Sequence, residues 1–161
     1  MERLNPFIKQ ALEEAKKGFI KGEVPIGCVV VYEGKVVARA HNRVEELSDP
    51  TAHAEILAIR EAAKKLGIKA LRECEIYATL EPCPMCAGAI ALCGFKKLYF
   101  GAYNEKHGAV VTKFFLLEDY KIPWQKLDCK ECSDLPKDFF KKLRSGRIKG
   151  DYGKTFGGEN F

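Results

Sequence analysis

The apolar positions of this chain fall into periods that alternate between helix and strand. Phe7, Ala11, Leu12, Ala15 and Phe19 recur at helical spacing behind Asn5-Pro6, a capping residue followed by proline at the first helical position, and the run ends at Gly22. Ile26 to Tyr32 and Lys35 to Ala40 are rich in valine and separated by Glu33-Gly34, which predicts a β-hairpin. Asp49-Pro50-Thr51 opens a second helix, running from Thr51 to Leu66 and stopping at Gly67. Glu75 to Leu80 is β-favouring and reads as a third strand. The small and apolar residues from Pro84 to Leu92 predict a third helix buried on most sides. Lys97 to Gly101 and Gln125 to Cys129 read as a fourth and a fifth strand, and Asp134 to Pro136 opens a final helix through Phe139, Phe140 and Leu143. Strands alternating with helices predict an α/β domain, a sheet with helices on its faces that begins with an antiparallel hairpin. No internal repeat or linker divides it, so residues 1–144 read as one domain and 145–161 as a glycine-rich, basic and aromatic tail.

Composition narrows the setting. At 161 residues the chain is long enough to bury a core without staples. No stretch approaches the roughly 18 to 20 apolar residues of a membrane span and no signal-peptide pattern opens the sequence, so the expected compartment is the cytoplasm, with no membrane partner. Seven cysteines are an odd number and do not suggest a secreted disulfide framework. Cys28, Cys74 and Cys93 lie in apolar surroundings and read as core; Cys129 and Cys132 form a Cys-x-x-Cys with no further His or Cys nearby and are read as holding no metal. Seven bases against two acids between Lys137 and Lys154 give a local surplus equal to the net charge of +5 of the whole chain. A phosphate-bearing partner would favour such a segment, and a solvated helix face would also account for it.

Two short segments carry the candidate chemistry. Thr51-Ala52-His53-Ala54-Glu55 and Leu80-Glu81-Pro82-Cys83-Pro84-Met85-Cys86 offer an imidazole, two thiols three residues apart and a carboxylate. One His and two Cys leave the fourth tetrahedral position of a zinc ion open, as in a catalytic site; a structural site would need another Cys or His. Residues two apart on a regular helix point in nearly opposite directions, so His53 and Glu55 can address one ion only if His53 stands at an irregular helix start. A carboxylate beside the metal, yet not itself a ligand, can take a proton from water and deliver it to a leaving nitrogen. Taken alone, the Cys pair could be a redox pair and the His-x-Glu means little. In this order the two resemble the signature of zinc-dependent nucleobase deaminases.

Val24-Pro25-Ile26-Gly27, Asp49 to Glu55, Thr79 to Ala89, Phe100-Gly101-Ala102 and Asp138 to Arg144 resemble the bacterial tRNA-specific adenosine deaminase family, within the cytidine deaminase superfamily. The resemblance covers about Phe7 to Arg144. It implies a three-layer α/β/α cytidine-deaminase-like fold on a five-stranded mixed sheet, and a homodimer. It also implies one Zn2+ per subunit on His53, Cys83 and Cys86, Glu55 as proton shuttle and Asn42 as a base contact. Val24, Pro25 and Ile26 would wall the pocket, and Ala54, Asn104, Phe139, Phe140 and Arg144 complete the expected substrate contacts. The implied substrate is the wobble adenosine of a tRNA anticodon loop, converted hydrolytically to inosine. The chain departs from the family at Cys93-Gly94, Asn104 and Pro123-Trp124, where Ser-Arg, Asp and Asn-His are usual. A deaminase of a free nucleobase or nucleoside, of the guanine or cytosine type, is the alternative, followed by a non-catalytic zinc-stabilised nucleic-acid-binding module. In the tail, Tyr152, Phe156 and Phe161 are either a disordered end or a flap for aromatic stacking.

Overall fold

A computed structural model of the chain describes residues 3–148. Helix α1 (Pro6–Ile20) leads into the hairpin of β1 (Gly27–Tyr32) and β2 (Lys35–His41), and the short α2 (Val44–Leu47) precedes α3 (Ala54–Leu66). A 3-10 turn (Ile68–Glu73) then enters β3 (Cys74–Ala78), followed by α4 (Pro84–Cys93), β4 (Lys97–Phe100), β5 (Trp124–Lys126) and α5 (Lys130–Arg144). The sheet order is β2-β1-β3-β4-β5. β1 pairs antiparallel with both β2 and β3, while β3–β4 and β4–β5 are parallel. The expected five-stranded mixed sheet is therefore present.

Helices cover both faces. Gly27, Val29 and Val31 share one face of β1, and Cys28 and Val30 the other; all are buried, as in a sheet packed on both sides. A Cβ on Gly27 would stand 1.8 Å from the Ala11 carbonyl oxygen, so only glycine allows α1 to lie this close to the sheet. α1 packs on β1, β2 and β3 and touches α5, whereas α3 packs on β1 and β2 and touches α4. Ile8, Ile76, Leu98, Phe100 and Phe139 are among the fully buried side chains of this core. Among the described residues no helix is long and apolar enough to cross a membrane.

Two helix starts and the burial of one helix differ from the sequence reading. α3 begins at Ala54 instead of Thr51, because the Asp49 side chain accepts from the Thr51 N–H and hydroxyl and turns the chain before the helix starts. α5 begins at Lys130, four residues before Asp134, because the Cys129 sulfur accepts from the Cys132 N–H and caps the helix there. Pro136 therefore sits inside α5. α4 is not buried on most sides: Met85 and Leu92 are exposed, Leu92 at 80%.

Candidate functional site

Two helix starts converge beyond the strand ends. His53 is the N-cap residue of α3 with extended backbone, which frees its side chain from the helical arrangement that would separate it from Glu55. Cys83 is the N-cap of α4, Pro84 occupies the first helical position and Cys86 lies in the first turn. The His53 Nδ1 stands 3.6 Å from the Cys83 Sγ and 3.5 Å from the Cys86 Sγ. The three donor atoms lie within 4.8 Å of one another and can hold a metal ion. Both helices direct their positive ends at the sulfurs, which favours thiolate. Hydrogen bonding from Cys86, opposed by burial, holds the Cys83 thiol down at about 4, whereas sharing that proton with Cys83 and burial push Cys86 up. Burial alone would lower the His53 pKa, but the Cys83 hydrogen bond and the Glu55 charge raise it.

Glu55 follows in the first turn of α3. It is 4% exposed, its Oε1 has no hydrogen-bond partner, and burial, with the Cys83 charge added, pushes its carboxyl up to about 7. Asn42, one residue past β2, is fully buried. Its Oδ1 accepts from the Ala54 N–H at 2.8 Å, satisfying one of the four N–H groups that a helix start leaves open, while its Nδ2 is unpartnered. A buried polar group left unpaired costs about 1–3 kcal/mol. The site keeps one such acceptor and one such donor, and a polar ligand edge would satisfy both. Val24, Pro25 and Ile26 are buried next to them, and the Asn42 N–H donates to the Ile26 carbonyl.

The family model of MafB19-like deaminases matches residues 4–144. A tRNA-specific adenosine deaminase of Aquifex aeolicus is 49% identical over 146 residues, covering 88% of this chain and 97% of that protein. The chain belongs to the tRNA-specific adenosine deaminase family. Its relative in Bacillus subtilis is 44% identical, covering 86% of this chain and 89% of that one. The structure of a tRNA:A34 deaminase superposes with a TM-score of 0.71 at 42% identity, covering 75% of this chain and 96% of the other. A guanine deaminase of Bacillus subtilis superposes with a TM-score of 0.59 at 33% identity, covering 87% and 96%.

The remaining expected contacts of the deaminase separate into two groups. Asn104, Phe140 and Arg144 line one cavity of about 270 Å³ with Leu80, Tyr103 and Lys106. Phe139 does not: it is fully buried and packs edge-on against Phe19 and Phe140, a core position. The departures from the family pattern have local uses. Gly94 is the left-handed C-cap of α4, the Pro123 carbonyl accepts from the Leu98 N–H, and Trp124 stacks on Phe100 at 5.6 Å between ring centres. Tyr152, Phe156 and Phe161 lie outside the described residues.

Two buried glutamates brace the segments around this candidate site, and the sequence reading assigns neither a role. Glu23, directly before the Val24-Pro25-Ile26 wall, accepts from the N–H groups of Glu45 and Glu46 and so fixes α2. Glu81, directly before Pro82-Cys83, accepts from the N–H groups of Asn104, Val110, Val111 and Thr112 and from the Thr112 hydroxyl. Gly108 is required beneath it, since a Cβ there would stand 2.5 Å from the Glu81 carboxyl carbon. For Glu81 the available signal is a charged residue set among Leu80, Pro82 and Cys83, whereas Glu23, behind Lys21-Gly22, carries none.

Proposed function

We propose that this chain is a zinc-dependent hydrolase that converts adenosine to inosine at the wobble position of tRNA. The carrying observation is the meeting of the His53 Nδ1 with two cysteine sulfurs beside a buried carboxylate that has an unpartnered oxygen. The nitrogen and two sulfurs suit zinc and leave a fourth position for water. Zinc bound there, one per subunit, would supply Lewis-acid activation of the attacking water. The residues of the chain do the rest. A base splayed from the anticodon loop enters against Val24, Pro25 and Ile26, its unstacking costing about a few kcal/mol. The Asn42 Nδ2 donates to an acceptor atom on the base edge and fixes its orientation. The Glu55 carboxylate takes a proton from water as its oxygen bonds the amino-bearing ring carbon. It returns that proton to the amine, and ammonia leaves. Burial pushes the Glu55 carboxyl up, and zinc held beside it would favour the carboxylate that accepts the first proton.

Asn104, Phe140 and Arg144, gathered on one cavity, are the candidates for contacting the flanking nucleotides. Homodimerisation fits the exposed apolar side chains Met85, Leu92, Phe114 and Phe115, which a second copy would cover. Action in the cytoplasm, where tRNA is found, completes the reading, with residues 1–144 as the catalytic domain and 145–161 as an appended tail.

A substrate panel tests it. Intact tRNA should yield inosine and one equivalent of ammonia, while free adenine, guanine, cytosine and their nucleosides stay unchanged. Deamination of a free base without reaction of tRNA would transfer the reading to the free-base alternative. RNA binding with every substrate untouched would leave only a zinc-stabilised binding module. Glu55→Gln should keep metal and fold and lose about 10²–10⁴-fold in turnover, the usual range for a general acid–base group. An active Glu55→Gln protein would remove the shuttle.

A further inference from the structure

We propose that a basic groove at the β2 edge of the sheet binds the sugar–phosphate backbone of the RNA strand leading away from the target base. The proposal rests on the tRNA reading above and adds a contact surface that neither the base pocket nor the basic C-terminal segment supplies. The groove encloses about 460 Å³ where the end of α1, the end of β2 and the outer face of α3 meet. Leu57, Arg60, Glu61 and Lys64 form its α3 wall, at the spacing that places residues on one helix face. Lys21, Arg39 and Arg43 approach from the other elements.

Charge decides what such a groove can take. Five cationic side chains line it against three carboxylates, and every one of those carboxylates is already engaged. Glu14 pairs with Lys17, Arg39 and His41, Glu46 with Arg43, and Glu61 with Lys65. Lys21, Arg60 and Lys64 have no ion-pair partner among the described residues, and all three are exposed. His41, nine-tenths buried, lines the same groove with an Nε2 that has no hydrogen-bond partner. Unpaired cations gathered in a concavity concentrate positive potential there and attract a polyanion.

Position links the groove to the reaction. Arg43 directly follows Asn42, and its N–H donates to the Ala52 carbonyl just before His53, so one end of the groove begins at the rim of the base pocket. From there the α3 wall runs away from the site, with Arg60 and Lys64 one turn apart and about 5–6 Å between their Cβ atoms, as helix geometry sets. An extended chain of phosphates matches such a line of cations. A free base or unphosphorylated nucleoside has nothing to place there, so the groove predicts a substrate longer than its reacting nucleotide.

The test is Arg60→Ala with Lys64→Ala, two exposed positions of α3 at which alanine suits the helix. Steady-state deamination of tRNA by the full-length protein is measured for wild type and double variant across a series of salt concentrations. KM should rise several-fold at low salt while kcat stays unchanged. The slope of log(1/KM) against log salt should become shallower by about one and a half to two, close to one for each phosphate contact removed. Arg60→Glu with Lys64→Glu should raise KM further. If the wild type deaminates tRNA and both variants match it in KM and in slope, the groove proposal is overturned while the proposed function stands. A fall in kcat at unchanged KM would overturn it equally. A wild type inactive on tRNA and active on free bases would instead overturn the tRNA reading on which the groove depends.

Discussion

Two Cys-x-x-Cys pairs open two helices of this chain, and they do different things. Cys83 and Cys129 are both N-cap residues with extended backbone, and Cys86 and Cys132 both follow in the first turn. Cys83 and Cys86 remain free thiols facing the His53 Nδ1, whereas Cys129 and Cys132 are joined in a disulfide. Opposite the second pair stands Gly101 rather than a ligand: a Cβ there would lie 2.5 Å from the Cys132 sulfur. The local motif is therefore common to both, and the element packed against it decides the chemistry.

The largest expected effect separates the two pairs outright. Cys83→Ser with Cys86→Ser should abolish deamination, while Cys129→Ser with Cys132→Ser should leave kcat on tRNA close to wild type. Equal losses from both, in a discontinuous ammonia-release assay, would erase the distinction. Next comes the anchor that only the first pair possesses. Glu81→Leu strands four backbone N–H groups and a hydroxyl, and should destabilise the fold by more than about 3 kcal/mol in urea unfolding, since each buried donor left unsatisfied costs about 1–3 kcal/mol. A smaller loss would mean that water replaces those bonds at little cost. Gly101→Ala tests the second pair, since the added methyl must push Cys132 aside; overpacking of this kind costs about 1–3 kcal/mol. The same denaturation curve reads it, and no change would show that α5 is not closely seated on β4. Smallest is reduction of the disulfide. It closes a very short loop, so a reductant should lower stability by no more than about 2 kcal/mol and leave deamination unchanged.

Much of the arrangement was legible in the residues. Asn5-Pro6 caps α1 where expected, with the Asn5 side chain accepting from the Phe7 and Ile8 N–H groups, and Glu33-Gly34 turns the hairpin with both residues at positive φ. The helix-start placement of His53 followed from Asp49-Pro50-Thr51. What the sequence hid depends on distance along the chain. Glu81 draws its donors from residues 23 to 31 positions later, which no periodicity displays. The start of α5 lies earlier than the residues suggest because a disulfide sulfur does the capping, outside the usual Ser, Thr, Asp and Asn, while Asp134-Pro136 imitates a start. Phe139 and Phe140 are adjacent in sequence, yet one fills the core and the other lines a cavity; only the packing of α5 against Phe19 separates them. The basic groove draws on four elements, α1, β2, α2 and α3, and leaves no local mark.

Zinc content per chain tests the central claim most directly. Purified protein, dialysed against metal-free buffer and analysed by inductively coupled plasma mass spectrometry, should carry one zinc per chain. The Cys129→Ser, Cys132→Ser protein should carry the same amount, and the Cys83→Ser, Cys86→Ser protein essentially none. Wild-type protein with no bound transition metal, or zinc that disappears with Cys129 and Cys132 instead, would contradict the account.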